Sequence, residues 1–171
     1  MQFSLDSTDL AILSMLQRDA SSPVAEIAKA VGLSQSPCWR RIQRLRDSGV
    51  ISAQVTLLDR RALGFNLEVF VRVRFLREQP DSLKEFEAAI RAAPEVVDCY
   101  MLMGEVDFLL RVLARDVEDY ERFLRGSLAR LPGVRDITSN IALSTVKSTT
   151  ALPLERAAAA TMRRGEASDG R

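Results

Sequence analysis

The sequence predicts an α+β chain in two parts, three short helices followed by a split β-α-β-β-α-β unit. Three observations carry this. Residues 1 to about 62 show helical apolar periodicity punctuated by Gly and Ser. Residues about 67 to 146 alternate strand-like and helix-like runs. Within the first of these lies a basic run, GLSQSPCWRRIQRLRDSGVI, in which Arg40, Arg41, Arg44 and Arg46 crowd onto the third helix of a 171-residue chain whose formal net charge is only +1.

The elements follow in order. Asp6 can cap a first helix, with Asp9 three residues on, and Leu10, Ile12, Leu13 and Leu16 give it an apolar face. Ser22-Pro23 reads as a second start, cap then first-turn proline, with Ile27, Ala28 and Val31 as its buried stripe. Gly32 ends that helix, and Leu33 anchors the turn. Ser34 opens a third helix running to about Asp47, stopped by Ser48-Gly49. A tight glycine turn between two such helices is a helix-turn-helix. VISAQVTL beyond it reads as a short strand, giving a winged helix-turn-helix, and LLDRRALGF as a loop.

In the second part, Val69, Val71, Val73 and Phe75 alternate with Glu68, Phe70, Arg72 and Arg74, the period of a strand. Pro80-Asp81-Ser82 starts a helix with Leu83, Phe86, Ile90 and Ala93 on one side, broken at Pro94-Glu95. VVDCYMLM and VDFLLRVL are apolar strands split by Gly104-Glu105, a hairpin. Asp116 and Asp119 start a helix whose stripe is Tyr120, Phe123, Leu124, Leu128 and Leu131, ended by Pro132-Gly133. VRDITSNIALSTV is the last strand. This order is ferredoxin-like, with two helices on one face of a four-stranded antiparallel sheet. The other face is left open, lined by Val71 or Phe70 with Tyr100 and Phe108, and a partly apolar open face marks self-association. The expected domains are 1–62, 63–154 and a disordered tail over 155–171.

Composition narrows function. There is no histidine, which removes Ser-His-Asp and Cys-His catalysis, histidine metal sites and the commonest general base. Nothing supplies a catalytic set, a metal site or a cofactor site. Cys38 and Cys99 are not spaced as a metal or redox motif and read as buried free thiols. No run is long and apolar enough for a membrane span. The acidic, amphipathic N-terminus does not read as a signal peptide, so a cytoplasmic protein is expected.

On a helical wheel Cys38, Ile42 and Leu45 face inward, Trp39 and Arg41 flank them, and Ser36, Arg40, Gln43, Arg44 and Asp47 lie opposite. Arginine forks suit phosphate oxygens and the guanine edge, and glutamine pairs with adenine. The expected DNA-binding residues are Ser34, Gln35, Ser36, Trp39, Arg40, Arg41, Gln43 and Arg44. The bland alternative is a solvated basic helix face.

These residues carry a resemblance. Leu5-Asp6-x-x-Asp9-x-x-Ile12-Leu13-x-x-Leu16-Gln17-x-Asp19, VGLSQSPCWRRIQRLRDSGVI, Leu58-Asp59, Leu63-Gly64, PEVVDCYMLMGEVDFLLRV, LPGV and TTALPL together resemble the leucine-responsive regulatory protein/AsnC family over roughly residues 3 to 154. The resemblance implies a transcription regulator. Its first domain would bind double-stranded DNA. Its second would form homodimers, assemble them into rings, often octamers, and sense a small molecule, usually an amino acid held between dimers near the loop joining the second and third strands. Here that loop is Met103-Gly104-Glu105-Val106-Asp107. Gly104 lets a ligand approach the backbone, and Asp107 can pair with an α-ammonium. The alternative is a hairpin turn with a structural glycine and a solvated aspartate. Ser139 and Asn140, on the last strand, are weaker candidates. Many relatives have threonine where Met103 stands, so the pocket either prefers an apolar amino acid or is altered. The rivals are an enzyme and an amino-acid-sensing assembly module that acts on a protein partner.

Overall fold

The computed structural model describes residues 5–76 and 80–155. They fall into two compact units. One takes in the described residues up to Thr56 together with those from Lys147 on; the other is Leu57–Val146. The sequence boundaries at 62/63 and 154/155 therefore shift. The 57–62 linker goes with the sheet, and the segment after the last strand returns to the helical unit. Gln17 explains that return: its Oε1 accepts from the Leu152 N–H at 3.0 Å, its Nε2 donates to the Leu152 carbonyl at 3.2 Å, and Leu154 packs on the helical core. The tail expected over 155–171 lies outside the described residues except for Glu155.

In the helical unit, α1 is Ser7–Leu16, α2 Val24–Ala30 and α3 Gln35–Asp47. The Asp6/Asp9 start is a capping box, with Asp6 Oδ1 accepting from the Asp9 N–H at 2.7 Å and Asp9 Oδ2 accepting from the Asp6 N–H at 3.2 Å. Ser22 does not cap α2. Pro23 occupies the cap position, and the Ser22 N–H instead donates to the Asp19 carbonyl. Gly32 ends α2 at φ +70, where the Leu33 N–H reaches back to the Ala28 carbonyl at 2.9 Å. That left-handed residue turns the chain sharply into α3. Ile12, Leu13, Ile27, Ala28, Cys38, Ile42 and Leu45 form the core.

The strand expected over VISAQVTL does not form: residues 52–59 carry no regular structure. A strand exists only by pairing, and among the described residues no backbone bond joins this stretch to the sheet. Among the described residues the helix-turn-helix therefore has no wing strand over 50–57.

The second unit contains β1 Leu67–Phe75, α4 Pro80–Ala92, β2 Val96–Met101, β3 Phe108–Ala114, α5 Val117–Gly126 and β4 Val134–Ile141. The strands run antiparallel in the order β2-β3-β1-β4. Val69, Val71, Val73, Phe108, Leu110, Val112 and Ala114 pack from the sheet against Phe86 and Ile90 of α4 and Tyr120 and Phe123 of α5. Phe86 and Phe108 rings stand 4.6 Å apart, with Phe75 edge-on to both. The last helix is shorter than its apolar stripe suggests. It stops at Gly126, and a separate 3-10 turn, Leu128–Arg130, delivers Leu128 to the core.

Val71 and Phe108, expected as candidates for the open face, belong to this core instead. Their strand register puts them on the helix side, opposite Ser139 and Met101. Phe70 and Tyr100 are exposed as expected. The open face also carries charge: Glu68, 7% exposed, accepts from Arg60 at 3.2 Å and Arg111 at 3.3 Å, and Arg111 Nε donates to Asp98 at 2.5 Å. Cys38 is buried as expected, but Cys99 is exposed, because β2 is an edge strand.

Candidate nucleic-acid interface and small-molecule site

The third helix divides its residues sharply. Cys38 and Leu45 are inaccessible and Ile42 nearly so, which fixes the rotation of α3 against α1 and α2. Ser34, Gln35, Ser36, Trp39, Arg40 and Arg44 are exposed and Gln43 is half-buried. Trp39 is 51% exposed, a rim residue rather than a core one. Arg40 makes no ion pair among the described residues and is exposed, one turn before Arg44.

Arg41 and Arg44 differ from Arg40. Asp9, although charged, is completely buried at the start of α1. Its Oδ1 accepts from Arg41 Nη1 at 2.8 Å and its Oδ2 from Arg44 Nη2 at 2.5 Å. Arg41 Nη1 also reaches Asp6 Oδ2 at 2.6 Å. The Arg41 guanidinium and the Asp9 N–H hold the Asp6 carboxyl below the usual carboxylate range; Asp6 and Asp9 in turn raise the already high Arg41 pKa. One capping box thus starts α1 and ties it to the middle of α3. Sequence periodicity finds the cap but not the clamp, because the pairing crosses between helices 32 to 35 residues apart.

In the second unit, the β2–β3 loop borders a cavity of about 500 Å³ lined by Arg74, Phe75, Leu76, Gly104, Glu105, Asp107 and Arg135. Gly104, at φ +148, holds a backbone conformation that favours glycine. Asp107 works structurally here. Its Oδ2 accepts from the Phe75 N–H at 2.8 Å, and its N–H donates to the Val73 carbonyl at 3.0 Å. It ties the hairpin to the end of β1 rather than standing solvated. Glu105 pairs with Arg74 at 2.8 Å.

Met103 is fully exposed at the tip and does not line the cavity. Ser139 is not brought to the loop within one chain. It sits opposite Val71 on β4, hydrogen-bonded to the Tyr120 hydroxyl, and Asn140 donates to the Phe70 carbonyl. Sequence reasoning missed Arg74 and Arg135. Arg74 is the last outward residue of the β1 alternation, and Arg135 comes beside it because β4 begins opposite Phe75. Among the described residues no cluster of acidic or cysteine side chains could hold a metal ion, and no helix is long and apolar enough to cross a membrane.

Comparison with known proteins identifies both parts of the chain. The AsnC-type helix-turn-helix domain matches residues 5–46, and the Lrp/AsnC ligand binding domain matches residues 68–152. The chain is 34% identical over 151 residues to the DNA-binding transcriptional activator DecR of Escherichia coli, covering 88% of this chain and 99% of that one. It is 38% identical over 152 residues to the leucine-responsive regulatory protein of Haemophilus influenzae, covering 89% and 92%. Among solved structures, a transcriptional regulator from Neisseria meningitidis in complex with L-methionine superposes at a TM-score of 0.87 with 36% identity, covering 90% of this chain and 99% of the other. An AsnC family transcriptional regulator from Agrobacterium tumefaciens superposes at 0.84 with 41% identity, covering 89% and 99%.

Proposed function

Because the chain belongs to the Lrp/AsnC family of transcriptional regulators, we propose that it binds specific DNA sites through α3 and that an amino acid modulates this binding or the assembly behind it. The relatives are regulators and not enzymes, and they include a structure solved with bound L-methionine. The observation that carries the reading is the exposed face of α3, where Arg40 stands with Ser36 and Gln43 on a helix aimed outward by the Gly32 turn. Arg40 contacts phosphate; Ser36 and Gln43 contribute to base choice. Homodimers place two such helices on the half-sites of an imperfect palindrome, and assembly of dimers, as octamers, adds avidity.

The amino acid binds beside the β2–β3 loop. Arg74 and Arg135 supply guanidinium donors for an α-carboxylate, and Glu105 supplies a carboxylate for an α-ammonium. Gly104 gives the ligand access to the backbone. Ser139 joins the site only from a neighbouring chain. The effector acts through its differential affinity for two states of the assembly.

A fluorescence-anisotropy titration against the DNA upstream of the protein's own gene, at several salt concentrations and with a panel of amino acids, tests this. Binding that weakens steeply with salt and shifts with one amino acid is expected. No salt-dependent binding to that DNA or to a wider set of fragments would return α3 to a solvated face and favour a protein partner.

A further inference from the structure

The arginine run looks like a uniform phosphate-binding patch, yet its charges are unequally available. Asp9 is a completely buried carboxylate, and Asp6 adjoins it. Between them they carry two negative charges against the two positive charges of Arg41 and Arg44, at 2.5–2.8 Å. A guanidinium already committed to a buried carboxylate releases fewer counterions when it meets a phosphate, since its charge is offset from within. Arg40, with no carboxylate against it among the described residues, keeps its full charge.

Resting on the DNA-binding reading above, we infer that Asp6 and Asp9 are specificity-determining residues. They withdraw Arg41 and Arg44 from phosphate neutralisation and so hold down sequence-independent affinity, while the base-reading face around Arg40, Ser36 and Gln43 is left intact. Sequence-independent binding is almost wholly electrostatic and specific binding only partly so. A carboxylate that quenches two arginines therefore weakens random-site binding more than operator binding, which widens the ratio that matters against a genome of competing sites. The same carboxylates fix the guanidiniums in place, so the offset is built into the fold of the domain rather than left to mobile surface side chains.

The test compares wild type, Asp9→Asn and Asp6→Asn, binding both a random-sequence duplex and the upstream duplex across a salt series. Each phosphate contact contributes about −0.9 to the slope of log K against log salt. Recovering one contact per head in a dimer steepens the random-duplex slope by about 1.8. Over the fourfold salt range from about 50 to about 200 mM, that slope change corresponds to about a tenfold change in relative affinity. Tighter random binding at low salt and a smaller specific-to-random ratio are expected for both variants. Adding Arg44→Ala to Asp9→Asn should bring the slope back towards wild type.

Unchanged slopes and ratios in variants with a native circular dichroism spectrum would overturn the inference. So would a shallower slope, which would mean that the carboxylates aim the guanidiniums at phosphate. Should Asp9→Asn fail to fold, Asp6→Asn decides, because Asp6 is half-exposed. Wild-type protein that bound neither duplex would overturn the DNA-binding reading itself, a distinct result from wild-type binding with unmoved variants.

Discussion

Replacing Asp9 with alanine probes what holds the DNA-binding unit together. Its carboxylate is wholly buried and accepts from Arg41, Arg44 and the Asp6 N–H. Two charge-assisted bonds are worth about 1.5–3 kcal/mol each when broken within a protein. The Arg41 and Arg44 side chains are 30% and 49% exposed, so the freed guanidiniums rehydrate and about half of that sum is returned. Losing the reciprocal half of the capping box costs about 0.5–1 kcal/mol. Removing a buried charge also removes its own desolvation cost. The net expectation is a loss of about 2–3 kcal/mol, a large share of the stability of a small helical unit. Asp9→Asn, which keeps the volume and one acceptor oxygen, should cost about half as much.

Urea unfolding followed by the fluorescence of Trp39, the only tryptophan, reports on this unit. With a slope of about 1–3 kcal/mol per molar urea, the Asp9→Ala midpoint should fall by about 1–2 M with the slope unchanged. A midpoint within about 0.3 M of wild type would refute the clamp, because a carboxylate with three partners cannot be removed that cheaply if those bonds organise the domain.

Other expectations follow from the same geometry. Arg40→Ala should leave the urea midpoint of Trp39 unchanged yet weaken DNA binding and lower the salt slope by about 0.9 per head; an unchanged slope would remove Arg40 from the phosphate backbone. Gly133→Ala should destabilise the sheet unit by about 3 kcal/mol in a thermal melt, since Gly133 sits at φ +82 and an added Cβ would lie 2.3 Å from the Phe75 ring. A melting temperature like wild type would mean that the ring moves aside without cost. The Asp6 carboxyl titrates below its unfolded value near ~3.9. Its contribution is therefore complete above that value and is lost as pH falls through the lower folded pKa. Asp119, held low by Arg115, its backbone N–H and Arg122, follows the same sign. Acid unfolding of the Trp39 signal should accordingly be less steep in Asp6→Asn than in wild type. Gly104→Val should abolish the amino-acid response while leaving the Trp39 transition in place, and a preserved response would move the effector site elsewhere.

Much of this was legible in the sequence because local rules and the global fold agree. The Asp6 cap, the Gly32 turn and the Cys38/Ile42/Leu45 stripe each follow from spacing alone, and together they orient Arg40 outward. The β1 alternation divides core from open face correctly for Val69, Val73, Phe70 and Arg72. What escaped depends on contacts far apart in sequence. The 50–57 stretch is written in β-favouring residues, but a strand does not form without a partner. The apolar stripe through Leu131 suggested a longer last helix, yet Gly126 and Ser127 break it and a 3-10 turn inserts Leu128. Which arginines are quenched, and that Asp107 holds the Phe75 N–H, can be read only once α1 lies on α3 and β3 on β1. The return of Leu152 and Leu154 to Gln17 and the helical core is a pairing across 135 residues that no local pattern announces.

The most direct test of the central claim is a hydroxyl-radical footprint of the protein on its own upstream DNA, with and without the amino acid that shifts the titration. Protected half-sites are expected on one face of the duplex, centred about 10–10.5 base pairs or a multiple apart. Their strength or extent should change with the amino acid, and protection should be lost in Arg40→Ala. Folded protein that gave no protection, or protection without such spacing that survived Arg40→Ala, would contradict it.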